Sequence, residues 1–537
     1  MCFRQGVIMM TEVKFKWMPH HEGAVPPAGQ GGRISTYNVA LEGWRRGLNL
    51  EFYGVFEEET KLKLRYSLSS SERKHHFQLS MGDKVTQEAF DICADKDLTK
   101  QYLSQANVPV PEGKVFTKKS TLNEIGDYAD KLNYPVVLKP TDGNAGKGVF
   151  ANVQSRDNLL ELVKHVQNDL GFNDIIVEKF VQGNEYRIVV IGERVLGAMI
   201  RRPASVLCDG KHTISQLIKI KNKERILNPH MTSRLIRIDR EVIDLLSRSG
   251  YTLNSIPKKG TRVYLRTKSN LSSGGDSIDT TDDLTPELKQ IAIDAGKAIP
   301  GLAHFGVDMI VDLERNTGTI LEVNTRPGLG GHLFPVIGKP RDFASEIIDF
   351  YFPETKSVER SPLFFDFDTV VELIKTQQVS KVGVKNAPLG DFYGKEILVM
   401  GKFQHTQFLS WVYKQALSHE LHGNIEYLKD GTVRIRVMGT NRKQIESFKQ
   451  RCIQDSNHAK IEDIRVTEWN KPIKIGFEVI GAASNKLHSN EISKVAIERE
   501  RLTKEKSRLL EKFEHLQNQH TWRYMEMLKR YAKNVLE

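Results

Sequence analysis

Four cysteines in 537 residues, Cys2, Cys93, Cys208 and Cys452, stand at no paired spacing, which excludes a disulfide framework and a clustered zinc site. They read as small apolar fillers. No apolar run reaches the length of a bilayer crossing, and Met1 to Met10 is too short and mixed for a signal sequence. A soluble, cytoplasmic, globular protein without a membrane partner is therefore expected. Internal repeats and long low-complexity tracts are also missing. What is in surplus is positive charge, +11 net from 78 Lys and Arg against 67 Asp and Glu, which favours anionic partners such as nucleotides and phosphorylated or carboxylated substrates. Nucleic acid is the less favoured partner, because solvated basic helix faces are ordinary.

The chain reads as successive parts. Residues 1–35 end in a Gly/Pro-rich stretch, Gly23 to Gly32, that cannot pack a core and predicts a flexible arm. Residues 36–93 form a small α/β unit, with a helix over Tyr37–Arg46 and strands near Leu50–Val55, Leu62–Leu68 and His75–Leu79. A block over 94–352 carries the chemistry. Residues 353–390 read as a linker with some helix at Thr369–Thr376, and 391–480 as a compact domain. In the last part, 481–537, Val495, Leu502, Leu509 and Leu516 recur every seven residues, which predicts a long amphipathic helix, docked on the body or paired in a homodimer.

The most informative segment is Leu138-Lys139-Pro140-Thr141-Asp142-Gly143-Asn144-Ala145-Gly146-Lys147-Gly148, which follows an apolar strand. The strand delivers a lysine, and a loop rich in glycine brings bare N–H groups to phosphate oxygens because no side chain blocks approach. Gly143, Asn144, Gly146 and Gly148 are the candidate cradle. The loop is not a Walker A motif, since Lys139 precedes the glycines and no Gly-Lys-Ser/Thr closes it. Upstream, Asp95 is suited to cap a helix whose Lys96 can reach a nucleotide phosphate. Downstream, the strand Ile175–Val181 carries Glu178, an acceptor for an adenine amino group, with Lys179 beside it and the Val181 backbone completing edge recognition. Glu185 can accept from ribose hydroxyls.

A hairpin is predicted from Gly306–Val311 and Thr319–Asn324 around Arg315-Asn316-Thr317-Gly318. Alternation puts Glu322 and Asn324 on one face, and antiparallel pairing brings Asp308 beside them. Two neighbouring carboxylates in an apolar sheet are costly to desolvate without a cation. Hard oxygen donors completed by phosphates suit Mg²⁺ or Mn²⁺.

Together these residues resemble an ATP-grasp ligase over about residues 94–352. Within that superfamily, Arg201-Arg202-Pro203-Ala204, Asp209 to Ile214, Leu265 to Gly275 and Asn324-Thr325-Arg326-Pro327-Gly328 resemble cyanophycin synthetases and the glutathione-forming half of bifunctional glutathione synthetases. The resemblance implies an α+β ATP-grasp fold, two α+β subdomains gripping ATP, in which a carboxylate attacks the γ-phosphate and an amine captures the acyl phosphate. It assigns Lys96 and Lys139 to the α- and β-phosphates, Glu178 and Val181 to adenine, Glu185 to ribose, and Asp308, Glu322 and Asn324 to the metals. The loop Lys268 to Gly275, with Lys268 and Asn270, is expected to close over the γ-phosphate and exclude water. Arg187, Arg202 and Arg326 are candidates for the acceptor carboxylate or the tetrahedral intermediate. Many relatives carry an arginine at the position of Gly306, so another cation must serve here.

Residues from about Phe392 to Trp469 carry Val399-Met400-Gly401-Lys402-Phe403-Gln404-His405-Thr406-Gln407-Phe408 and Asp430-Gly431-Thr432-Val433, and resemble acylphosphatase, a small ferredoxin-like domain. That family's arginine and asparagine fall on Leu409 and Tyr427, so hydrolysis is expected to be lost. The expected activity is an ATP- and Mg²⁺-dependent ligation of a carboxylate with an amine, on a small amino acid, peptide or acidic carboxylate. A non-catalytic ATP-binding scaffold and an acylphosphatase-type hydrolase are the alternatives.

Overall fold

The computed structural model describes residues 15–57, 61–141, 148–454 and 459–480. The predicted C-terminal helix and the loop residues Gly143, Asn144 and Gly146 lie outside the described residues. Two compact units form, one running to Asp391 and taking in Lys471–Ile475, the other starting at Phe392.

In the first unit three sheets carry the architecture. The first has the order Lys381–Val384, Asn49–Glu57, Lys61–Ser69, Lys74–Gln78 and Met81–Gly82. Its apolar face packs Phe52, Tyr66 and Phe77 under the buried helix Ile34–Arg45. Two expectations are corrected here. The Gly/Pro-rich segment is packed rather than an arm: Ala24 and Val25 are buried, Tyr37 Oη donates to Ala24 O at 2.5 Å, and Trp17 meets Phe334 edge-on at 5.6 Å. Such a composition builds no core of its own, but rings from distant parts of the chain supply one. The predicted linker is also structural. Phe365 and Phe367 pack against Tyr37 and Phe52, the helix Phe367–Lys375 lies on the sheet, and Lys381–Val384 pairs antiparallel with Asn49–Glu57 as its edge strand.

The second sheet, in the order Gly113–Phe116, Ile175–Lys179, Val136–Pro140 and Phe150–Val153, is backed by the helices Leu122–Leu132 and Arg156–Lys164. Thr121 and Glu124 form a capping box that starts the first of these helices. The third sheet runs Asp276–Asp279, Arg194–Arg202, Asn184–Ile191, His304–Asp312 and Thr317–Asn324. One face buries Tyr186, Ile188, Ala198, Val307, Met309 and Val323 with the helix Pro286–Lys297. Because side chains alternate along a strand, the opposite face carries Glu185, Arg187, Arg201, Asp308, Glu322 and Asn324. The predicted hairpin is present, extended to His304–Asp312 and Thr317–Asn324 with Asn316 at positive φ in its turn.

The second unit is a five-stranded sheet in the order Ala459–Glu468, Tyr393–Phe403, Val433–Gly439, His422–Tyr427 and Phe477–Ile480, with the helices His405–Ser418 and Arg442–Gln454. Its core joins Ile397, Val399, Ile425 and Ile435 to Phe408, Val412 and Phe448 from those helices. This is the expected ferredoxin-like α+β arrangement.

Candidate functional site

Asp308 and Glu322 are direct cross-strand partners, and Gly306 faces Asn324 two residues along. Between Asp308 and Met309 the register slips, because Leu321 is an extra residue in the partner strand. The slip keeps Glu322 and Asn324 on the Asp308 side while Ile320 stays in the core. Like charges directly opposed repel, and the neighbouring strands answer with cations. Arg187 grips Asp308 side-on through one guanidinium edge, Nε donating to Oδ1 and Nη2 to Oδ2 at 2.7 Å, and Arg201 Nη2 donates to Oδ1 at 2.8 Å. Burial acts to raise the Asp308 carboxyl, but the two arginines prevail and hold it below its ordinary value. Glu185 moves the other way, pushed up by burial and then by the Asp308 charge.

Arg201 was not among the sequence-predicted residues, whereas Arg202 was. The structure corrects this: Arg202 pairs in register with Asp276, and alternation turns it to the face opposite Arg201. Gly306, where many relatives have a cation, is matched by Arg187, whose Cδ lies 3.5 Å from where a Cβ on Gly306 would stand. Arg187 stands there at ordinary contact distance, and the atom that would crowd a Cβ at 306 is the Pro327 Cβ, at 2.9 Å.

Across a cleft, the second sheet presents the nucleotide-binding candidates. Lys139 Nζ lies 2.6 Å from Glu178 Oε2, and Lys100 Nζ lies 3.0 Å from Oε1. Lys96 lines the same cleft, one helical turn before Lys100 on the helix that Asp95 caps. Lys100 was missed, although its i+4 spacing from Lys96 carried the signal. Leu321 and Glu322 reach the cleft from the third sheet. Gly148, at φ +72°, lets the chain turn back past Pro140 at the end of the lysine strand. Lys179 is a correction. It alternates away from Glu178 and spends its ammonium on the Leu132 and Asn133 carbonyls at 2.8 and 2.5 Å, capping a helix rather than a ligand. Val181 follows this strand in the connection to Asn184–Ile191.

The expected lid, Lys268 to Gly275, is pinned at its C-terminal end. Arg266 Nε donates to Ser273 O at 3.2 Å, and Arg225 Nη2 donates to Gly275 O at 3.0 Å. Arg225 also meets Asp276 at 2.8 Å, as does Lys221 at 2.6 Å. Lys268 is exposed, and Asn270 leads into the short 3-10 turn Leu271–Ser273, its carbonyl accepting from Gly275 N at 3.1 Å. Asp276→Ala would leave the Arg225 guanidinium and the Lys221 ammonium largely buried without their carboxylate. It should cost about 3–5 kcal/mol in a denaturant titration; a loss under about 1 kcal/mol would show that the cluster does not hold the loop.

The donor set can be tested for a divalent ion. Among the described residues no group of three or more His, Cys, Asp and Glu could hold a metal. A metal would therefore use the Asp308 and Glu322 carboxylates with the Asn324 amide, and take phosphate oxygens for the rest. At Asn324 the ligating atom would be the amide oxygen, because the buried Nδ2, which has no hydrogen-bond partner, is a donor. Two carboxylates and a neutral amide oxygen on one face match a hard cation, which at Asp308 would share oxygens that already accept from Arg187 and Arg201.

In the second unit the position of the acylphosphatase arginine is closed. Leu409 is 2% exposed in the core, and Phe403 packs 5.0 Å from Phe408 and 6.2 Å from Tyr427. An apolar cluster occupies what would be an anion cradle.

Comparison with known proteins matches residues 93–250 to the RimK-like ATP-grasp domain and residues 395–479 to acylphosphatase. Cyanophycin synthetase of Trichormus variabilis is 35% identical over 289 residues, 52% of this chain and 31% of that protein. The glutathione biosynthesis bifunctional protein of Clostridium perfringens is 32% identical over 335 residues, 59% of this chain and 41% of that one. A solved bifunctional glutathione synthetase from Pasteurella multocida is 28% identical, and the match covers 54% of this chain and 41% of that one with a TM-score of 0.44. The chain thus spans well under half the length of these relatives. Among the described residues no helix is long and apolar enough to cross a membrane. The chain thus carries one segment similar to a RimK-like ATP-grasp domain, residues 93–250, and a later one similar to acylphosphatase, residues 395–479.

Proposed function

We propose that the protein is an ATP- and Mg²⁺-dependent carboxylate–amine ligase that forms an amide or peptide bond through an acyl phosphate and releases ADP and phosphate. The observation that carries this reading is one cleft lined by Lys139 and Glu178 from a sheet, by Lys96 and Lys100 from a helix, and by Glu322 from the hairpin strand that pairs it with Asp308.

Phosphoryl transfer asks for in-line placement and cancellation of oxygen charge, not for a protein nucleophile. Lys96 and Lys139 hold the phosphates, and Lys100, paired with Glu178 at 3.0 Å, fixes the position of that carboxylate as an acceptor for the adenine amino group. Glu185 takes ribose hydroxyls. Asp308, Glu322 and Asn324 would hold the metal, which when bound neutralises charge on the transferring phosphoryl group. Arg187 and Arg201, fixed by Asp308, present guanidinium charge where the attacking carboxylate and the tetrahedral intermediate develop negative charge. The loop of Lys268 and Asn270 shields the acyl phosphate from water. Substrates are an amino acid, a short peptide or another acidic carboxylate.

The test is ADP release with Mg²⁺ and ATP across a panel of amino acids and dipeptides, with products read by mass spectrometry. Turnover that needs both a carboxylate and an amine, with a product lighter by one water than its two precursors, supports the reading. ADP release that ignores the amine contradicts it. The acylphosphatase-like unit should hydrolyse benzoyl phosphate no faster than buffer, since a cradle without its cation forfeits about 10²–10³ in rate per lost donor. Hydrolysis above background that disappears on Tyr427→Ala would restore the hydrolase.

A further inference from the structure

Most of the excess positive charge of the protein sits in one stretch. Between Ser205 and Lys268 there are 14 Lys and Arg against 5 Asp and Glu, which is nine of the eleven net positive charges of the chain. The same stretch holds seven of the sixteen large apolar side chains that stand exposed among the described residues. Single exposed apolar side chains are ordinary on a soluble surface. Their concurrence with the charge calls for a partner that meets both.

The helix Ile214–Leu227 brings the two together on one face. Its inner side is committed: Ile214, Leu217 and Ile218 enter a small core, and Lys221 and Arg225 turn to Asp276. On the outer side Lys223 is ringed by Lys219, Ile220, Ile226 and Leu227, the positions three and four residues away in each direction, which are its neighbours on a helix surface. All five are exposed, Ile220 by 41%, Ile226 by 54% and Leu227 by 70%. Neither the Lys219 nor the Lys223 ammonium has a carboxylate partner among the described residues. Glu224, the only acid of the helix, lies at the margin of this patch.

The composition of the patch selects the partner. A soluble acidic chain would satisfy the lysines and leave three aliphatic side chains in water. Single-stranded nucleic acid asks for aromatic rings to stack on, and the stretch has no Trp or Phe. A second copy offering the same patch would set ammonium against ammonium. An anionic bilayer meets both features, because aliphatic side chains reach the boundary of the acyl chains while lysine stems lie along apolar surface and keep their ammonium groups at the phosphates.

We propose that the outer face of the helix Ile214–Leu227 docks on an anionic lipid bilayer, with Ile220, Ile226 and Leu227 entering the headgroup boundary and Lys219 and Lys223 meeting lipid phosphates. This departs from the expectation of no membrane partner, which rested on the lack of a spanning run; a contact of this kind lies on the membrane and needs no crossing helix. It is independent of the ligase reading.

The test is sedimentation of the full chain with vesicles of phosphatidylcholine alone and of phosphatidylcholine mixed with phosphatidylglycerol. Wild type should sediment with the mixed vesicles only. Lys219→Gln/Lys223→Gln should lower its partition coefficient about tenfold or more, and Ile220→Ser/Leu227→Ser should do the same, each with the melting temperature of wild type. In a further variant, Leu227→Trp, the emission should shift to the blue when mixed vesicles are added, as the indole leaves water. No sedimentation of wild type with mixed vesicles, equal sedimentation of wild type and both double variants, or an unshifted emission from bound Leu227→Trp overturns the docking. A loss confined to the lysine variant would mean adsorption by charge alone and overturns it as well. Binding of poly-glutamate or poly-uridylate that both double variants weaken, without sedimentation on mixed vesicles, makes an acidic chain the partner in place of the bilayer.

Discussion

Glu322→Gln is expected to lower ADP release by about 10²–10³-fold while leaving the melting temperature unchanged or slightly raised. Glutamine keeps the shape of glutamate, so the strand Thr317–Asn324 loses no packing. What it loses is one of two carboxylates placed directly opposite each other, and removing one of two opposed like charges relieves repulsion. A variant that folds as well as wild type and fails to turn over separates a role in holding a cation from a role in holding the sheet. Titration with Mg²⁺ is the check: the variant should need a much higher concentration for half-maximal rate. Near-normal turnover at the wild-type Mg²⁺ requirement would remove Glu322 from the site.

Arg187→Met is expected to act on both activity and stability. Arg187 is the bidentate partner of Asp308, a carboxylate only 6% exposed, and breaking such a buried pair costs about 3–5 kcal/mol when nothing replaces it. Arg201 remains at 2.8 Å, so the loss should fall at or below the lower end of that range. The rate should fall by about 10²–10³-fold if the guanidinium meets developing negative charge. The pH dependence gives an independent sign. Because the folded pKa of Asp308 is depressed, its contribution to stability is complete above the ordinary aspartate value of about 4 and is lost as pH falls through the folded value. In Arg187→Met that shift shrinks, and the stability curve should flatten below about pH 4. A variant with the wild-type acid slope would show that Arg201 alone sets the carboxyl.

How much of this was legible in the sequence depends on the range of the interaction. Glu322 and Asn324 share a face by alternation within one strand and were readable as such, but Asp308 joins them only through the slip at Leu321, which no local strand or turn signal announces. The cap at Asp95 and the strand before Lys139 are local. Arg201 was lost to Arg202 because the strand parity depends on an irregularity between Val195 and Gly197, and no sequence signal fixes such a slip. The packing of Gly23–Gly32 and the pairing of Lys381–Val384 with Asn49–Glu57 join segments separated by most of the unit, and composition cannot announce partners so far away. Lys179 was assigned by proximity to Glu178, although alternation along the same strand already separated the two. Lys100 was present in the helix period and simply went unread.

The central claim is that a carboxylate oxygen is phosphorylated between the two sheets. Carboxyl-¹⁸O₂ substrate, incubated with the enzyme, MgATP and the amine, tests it most directly by the isotope found in inorganic phosphate. Transfer of one labelled oxygen to phosphate per amide bond formed is the predicted result. Phosphate carrying no label from the carboxylate, with product formed, would contradict it.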